Sequence, residues 1–332
     1  MKMYCSCHQC MKESVGDVFL FGEGIGNLAE EGYVVFTCEK GHTTYFNNQS
    51  FKFETLFNKA LKFYVDGEYE ASLLMFSNSL ERFYEFFIKS MCRNDGLDNL
   101  LIDYSLFNRE GMNRSENQLG AFALLHLLKF NEYPVVLNNK QRQLRNDVVH
   151  NGKIIDKDDC YKYGNAVFDI IKEVVCKMKK YNKNMFIEES LAQQIKVGSI
   201  LKQREINNVG SMLEYNSFTM IENIESLNYD SMIETTSKME KAQSLEKIKE
   251  RNIMVNMLRK RLEKILEKVK FKINTYAEKY ANENFELKVE KYENVDEIEN
   301  IIINAISDKF HLVCSVEISK DDNFIIKDIK EC

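Results

Sequence analysis

The chain has 332 residues, of which 44% are hydrophobic and 29% charged, and its formal net charge is −6. That length supports two or three domains, each with its own apolar core, and the composition excludes disordered and fibrous classes. The acidic balance argues against a nucleic-acid surface spread over the whole chain but leaves room for a local basic one.

No apolar run reaches the length of a bilayer span, and the opening "MKMYCSCHQC" lacks the apolar core of a secretory signal, so a cytoplasmic protein without a membrane segment is expected. With one proline and no tryptophan, long uninterrupted helices are expected too. Cys5, Cys7, Cys10 and Cys38 lie close to the N-terminus, and the other five of the nine cysteines are scattered. In a reducing compartment this asymmetry points to one metal site and several free thiols.

Residues 1–50 are rich in cysteine, glycine and β-branched or aromatic residues. "DVFLFGEG" and "YVVFTCEKGHTTYF" read as short strands with turns, the second as a hairpin whose tip carries Cys38, Gly41 and His42. Cys7 and Cys10 form a C-x-x-C pair, and Cys38 with His42 forms a second pair. Two tight turns facing each other can each deliver two soft or borderline ligands to a tetrahedral zinc. Four protein ligands close the coordination shell, so the expected metal is structural zinc with no catalytic role. The pattern resembles a zinc ribbon, with Met11 where such ribbons usually have a glycine and with Cys5 and His8 as possible substitute ligands.

From Phe53 the periodicity becomes helical. "FETLFNKALKFYVDGEYEASLLMFSNSLERFYEFFIKSM" reads as two helices broken at Asp66 and Gly67, "ENQLGAFALLHLLKF" as another, and "DDCYKYGNAVFDIIKEVVCKMKKY" as a helix capped by Asp156 or Asp158. Residues 233–282 read as one long helix with a seam of Leu258, Leu262, Ile265, Val269, Ile273 and Tyr276, which predicts packing against another helix in the same chain or in a second copy. "LRKRLEKILEKVKFK" on that helix holds seven basic residues against two acidic. It reads as an ordinary solvated face, because helices with many lysines are common. The end of the chain reads strand, helix ("DEIENIIINAIS"), strand, strand, a small α+β unit. His126 sits in an apolar helix and His311 at a strand start, so neither enters a candidate site. Of Arg109, Arg114 and Arg142, only Arg142 lies one helical turn before the segment considered next.

"QRQLRNDVVHNGK" places Arg145, Asn146 and His150 before a glycine. On a straight helix Arg145 and His150 point about 140° apart. Asn151 and Gly152 form a helix stop, which lets the histidine sit in the last turn or just outside it. An arginine holds a phosphate with two parallel donors and a histidine titrates near neutral pH, so the pair suits phosphodiester chemistry. The bland reading is that Arg145 pairs with an acidic neighbour such as Asp147 while His150 is favoured by a helix C-terminus.

The order "LRNDVVHNG", with an apolar helix pair before it and a helix after it, resembles the HEPN domain (higher eukaryotes and prokaryotes nucleotide-binding) over residues 53–182. The resemblance implies a metal-independent endoribonuclease acting as a homodimer on RNA, with Arg145, Asn146 and His150 filling the family's arginine-to-histidine signature. It also implies that "SLERFYEFF" is the early helix whose Glu81, Arg82 or Glu85 approaches the site, with Arg142 as a further supporting residue. Such proteins often serve as toxins or in defence against phage. The whole reading is a mainly α chain: a zinc ribbon at 1–50, a HEPN-like bundle at 53–182, a helical region with the long helix at 185–282, and a small α+β unit at 283–332. The alternative is a non-catalytic scaffold that binds nucleic acid or protein and carries the same zinc ribbon.

Overall fold

A computed structural model describes residues 2–12, 22–107, 112, 114–206, 209–276, 285–295, 298–307, 309–318 and 324–331. Arg109 and most of the "DVFLFGEG" strand lie outside the described residues. The architecture is mainly helical and divides into two compact units, one of Ala29–Val34 with Phe46–Ala242 and one of Lys2–Leu28, Val35–Tyr45 and Gln243–Cys332.

The short elements come first: β1 (Lys2–Ser6), α1 (His8–Lys12), β2 (Glu23–Leu28), β3 (Tyr33–Thr37) and β4 (Thr43–Asn48). Helices α2 (Lys52–Val65), α3 (Tyr69–Asn94), α4 (Asn99–Ile102), α5 (Ser115–Phe130), α6 (Asn139–Asn151), α7 (Lys157–Tyr181) and α8 (Met185–Gln203) follow. After the short strand β5 (Val209–Met212) come α9 (Tyr229–Ala242), α10 (Leu245–Tyr276) and the strands β6 (Glu286–Val295), β7 (Ile298–Ile306), β8 (His311–Ile318) and β9 (Phe324–Glu331).

The first unit is built around α3, which packs on α2, α5, α6, α7 and α8. Its apolar residues recur at three and four, so Leu73, Phe76, Leu80, Phe83, Phe87, Ile88 and Met91 form one buried stripe. Phe57 of α2 meets Phe76 and Phe218 edge-on with both ring centroids at 5.0 Å, which ties the two-helix start to a loop far along the chain. A buried carboxylate makes the same tie in polar form. Glu54 is 1% exposed; Oε2 accepts from Phe51 N, and Oε1 accepts from the backbone N–H groups of Phe218 and Thr219 and from the hydroxyls of Ser217 and Thr219. Both oxygens accept hydrogen bonds, which is the condition for burying such a group.

In the second unit β1 and β2 pair antiparallel, with Tyr4 opposite Ile25. Strands β6 to β9 form a separate antiparallel sheet in sequential order. The seam of α10 is buried as expected at Leu262, Ile265, Val269 and Ile273, but its partner is this sheet of the same chain, through Ile303, Ala305, Leu312, Cys314 and Val316. Tyr276 closes the helix, while 277–282 lie outside the described residues.

Three expectations change here. The segment read as a helix, "DEIENIIINAIS", contains strand β7, so among the described residues the last unit is a four-stranded sheet and not α+β. Its isoleucines are β-branched, and the alternating Ile303 and Ala305 face the helix, a period of two that suits a strand. The helix read over 233–282 is two helices, broken at Gln243 and Ser244, where Ser244 O and Oγ receive Ile248 N and Lys247 N. Finally, the N-terminal residues do not form a unit of their own, because their turns fold with the C-terminal segment while 29–34 and 46–50 fold with the helices.

Candidate functional site

Two places collect chemistry. The first is the pair of turns in the second unit. Cys7, Cys10, Cys38 and His42 bring their ligand atoms within 4.8 Å of one another, with the three cysteines buried. Cys10 Sγ lies 3.9 Å from Cys38 Sγ and 3.4 Å from His42 Nδ1, and Cys7 Sγ lies 3.8 Å from His42 Nδ1. A zinc–sulfur bond of about 2.3 Å sets the sulfur–sulfur edge of a tetrahedron near 3.8 Å, so these residues fit a metal such as zinc.

Local hydrogen bonds shape both turns. Helix α1 starts straight after Cys7, so Met11 N reaches Cys7 O at 3.0 Å and Cys10 N reaches Cys7 Sγ at 3.3 Å. A short helix closes this turn, which is why Met11 can replace the usual glycine. In the second turn Gly41 has φ +83°, a left-handed conformation that an L side chain resists, and its N–H returns to Cys38 O at 2.9 Å. Burial raises the cost of ionising Cys7, but hydrogen bonds from Cys10 N–H and His42 bring its thiol down to about 7. Burial and the neighbouring sulfurs hold Cys10 up at about 11. Cys5 points its thiol at Met3 O, and neither it nor His8 belongs to the cluster.

Helix α10 braces these turns. Asn252, 4% exposed, accepts from Glu23 N and donates to Glu23 O, both at 3.0 Å, and Arg251 pairs with Glu23 at 2.5 Å.

The second place is α6. Asn138 and Gln141 form a reciprocal cap at its start, each side chain bonding the other residue's backbone N–H at 3.0 and 2.8 Å. Gly152 ends it at φ +64°. Arg145 and Asn146 line a cleft of about 180 Å³ together with Glu81, Arg142, Glu116 and Tyr163. Arg145 Nη2 lies 3.5 Å from Glu81 Oε1, and its Nη1 donates to Asn146 Oδ1 at 3.2 Å. Burial holds the Glu81 carboxyl above its usual range, with the charges of Arg145 and Arg82 opposing that shift.

Comparison with protein-family models, with curated proteins and with solved structures gives no match.

His150 lies in the last turn of α6 itself and is exposed. It is not among the residues lining the cleft, as the 140° offset on an unbroken helix requires. Asp147 does not pair with Arg145; it accepts from Gln143 at 2.8 Å and Asn151 at 3.1 Å. Of the residues expected to support the site, Glu81 and Arg142 line the cleft, while Arg82 and Glu85 do not. Those two pair with each other at 2.5 Å and line a different cleft of about 520 Å³ with Lys89, Arg93 and Lys196. Tyr84, Glu116 and Tyr163 were not legible as site residues, because they come from three helices and only tertiary packing brings them to α6. His126 is fully buried among Phe87, Phe122 and Phe130 with Nδ1 2.8 Å from Glu132 O, a core histidine as expected. No described helix is long and apolar enough to cross a membrane.

Proposed function

We propose that the chain is an endoribonuclease of HEPN type that cuts RNA through the 2′-hydroxyl. The observation that carries this reading is the arrangement of α6: Arg145 and Asn146 at a cleft, with the solvent-facing His150 ending the same helix. The reaction removes the 2′-hydroxyl proton to a base, forms the bond from that oxygen to phosphorus, breaks the bond to the 5′-oxygen and delivers a proton to the leaving oxygen. The products are a 2′,3′-cyclic phosphate and a 5′-hydroxyl. One chain supplies one histidine at this site, so the second proton carrier is His150 of a second copy in a two-fold dimer. Arg145 stabilises the growing phosphate charge and Asn146 orients the phosphate. The exposed Val149, Ile154, Leu124 and Leu128 give the first unit apolar surface for such an association. The metal at the Cys/His cluster is zinc in a structural role, and by resemblance the biological setting is phage defence or a toxin.

The test uses the zinc-loaded protein in metal-free buffer. RNA cleavage by the wild type, its loss in His150→Ala and a light-scattering mass of two chains are expected; equal cleavage by the variant, or a strict monomer, overturns the reading. One observation favours a non-catalytic scaffold instead. Arg145 already faces a carboxylate, so part of its charge is spent within the protein. Tight RNA binding without cleavage by the wild type would select that alternative.

A further inference from the structure

We infer that the cleft beneath Arg145 is a base pocket that accepts guanine. The inference rests on the nuclease reading for the nature of the polymer, but not for recognition of the base.

The cleft is shaped for a flat, amphipathic group. Leu80, Leu119 and Leu137 supply apolar wall, and Glu81 and Glu116 supply two carboxylates. An apolar cavity of about 150 Å³ holds a benzene ring, so a cleft of about 180 Å³ has room for much of a planar base. Its polar groups are under-used. Tyr163 is 1% exposed; its hydroxyl interacts with Ser77 and lies near the charges of Arg145 and Glu81, but no close hydrogen bond holds it. Glu81 has Arg145 at 3.5 Å, beyond a good charge-assisted hydrogen bond. A buried donor and a desolvated acceptor left in this state are costly, and a ligand that satisfies both is held by that cost.

Guanine has the complementary edge. Its N1–H and N2–H₂ are adjacent donors that one carboxylate accepts together, and its O6 beside them accepts from a hydroxyl or guanidinium. Adenine and cytosine place an unprotonated ring nitrogen next to their amino group, which repels a carboxylate. Uracil flanks its single N–H with two carbonyls. RNA-binding proteins read unstacked bases through such edges, and a site built around hydrogen bonds rejects ligands that leave it unpaired. With the base held here, Arg142 and Arg145 lie on the same cleft to take the neighbouring phosphate.

Two measurements test this. Cleavage ends are mapped on a mixed-sequence RNA with the full chain, and guanosine, adenosine, cytidine and uridine 5′-monophosphates are titrated calorimetrically into His150→Ala protein. Guanine at one fixed position relative to the cut, and binding of guanosine monophosphate at least about tenfold tighter than the others, are expected. Glu81→Gln should remove most of that discrimination and Tyr163→Phe part of it; Glu116→Gln, on an exposed first turn, carries the carboxylate test if Glu81→Gln does not fold. Cleavage without base preference and equal binding of all four overturn the base pocket and leave the nuclease standing. Selective guanosine monophosphate binding by a protein that cuts no RNA supports the pocket, makes the free nucleotide its ligand and overturns the nuclease.

Discussion

The Cys/His turns and the α6 cleft use polar groups in opposite ways. At the turns, four ligand atoms from two short segments converge in one buried volume, and nothing outside the chain except an ion is needed to satisfy them. Along α6 the groups diverge: Arg145 and Asn146 face the cleft, His150 does not line it, and Tyr163 keeps a buried hydroxyl without a close hydrogen bond. A closed set of ligands is a folding device, whereas an open set is a binding surface that waits for a partner. The comparison therefore predicts that damage to the first costs stability and damage to the second costs function.

The largest effect is expected at the turns. On the zinc reading proposed above, Cys38→Ser should drop the bound metal from one equivalent to none by elemental analysis and destabilise the second unit by several kcal/mol, since a structural metal contributes folding free energy directly. Hydrogen exchange should then rise in β1, β2 and the turns while α2, α3 and α7 stay protected. Equal loss of protection in both units would break the contrast. Next comes His150→Ala, for which RNA cleavage is expected to fall by about 10² to 10⁴ while stability stays within about 0.5 kcal/mol, because an exposed end-of-helix side chain supports little packing. A smaller effect is expected at Asn252→Ala. It leaves the N–H and C=O of Glu23 without their side-chain partner and should cost about 1–3 kcal/mol by chemical denaturation.

The same contrast explains what could be read from the sequence. Both metal pairs were legible because each is local: the ligands of a pair lie within five positions, and a turn brings them together whatever the rest of the chain does. The break between α2 and α3 at Asp66 and Gly67, the cap at Asp156 and the seam of α10 were legible for the same reason. The walls of the cleft were not, since Glu81, Glu116, Arg145 and Tyr163 sit on four helices whose pairing no local pattern encodes. The supporting residues split accordingly. Glu81 and Glu85 share a turn of α3 and similar chemistry, yet only Glu81 reaches the cleft, and Glu85 instead joins Arg82 and Lys89 in ion pairs. Strand β7 failed differently. Its run of isoleucines fits a helical spacing as well as an alternating one, and the sheet partners on both sides decide between them. The nest around Glu54 lacks the usual serine or threonine cap, and its donors come from residues 217–219, so nothing near Glu54 announces it.

The smallest effect concerns Glu81 and depends on pH. Burial raises its carboxyl above the ordinary value of 4.5, with Arg145 only partly opposing. A carboxyl whose pKa is higher in the fold than in the unfolded chain binds its proton more tightly when folded, so its unfavourable contribution is absent at low pH. The penalty grows as the pH rises above 4.5 and levels off once the folded value is passed. Glu81→Gln should therefore match wild-type stability near pH 4 and exceed it by up to about 1 kcal/mol at pH 7, measured by urea denaturation at both pH values, since the group is only partly buried and screened by solvent. A variant less stable than wild type at pH 7 would mean that the ion pair with Arg145 outweighs desolvation. The cleft would then be closed by its own charges, as the Cys/His turns are by their ligands, and the distinction between the two regions would fail.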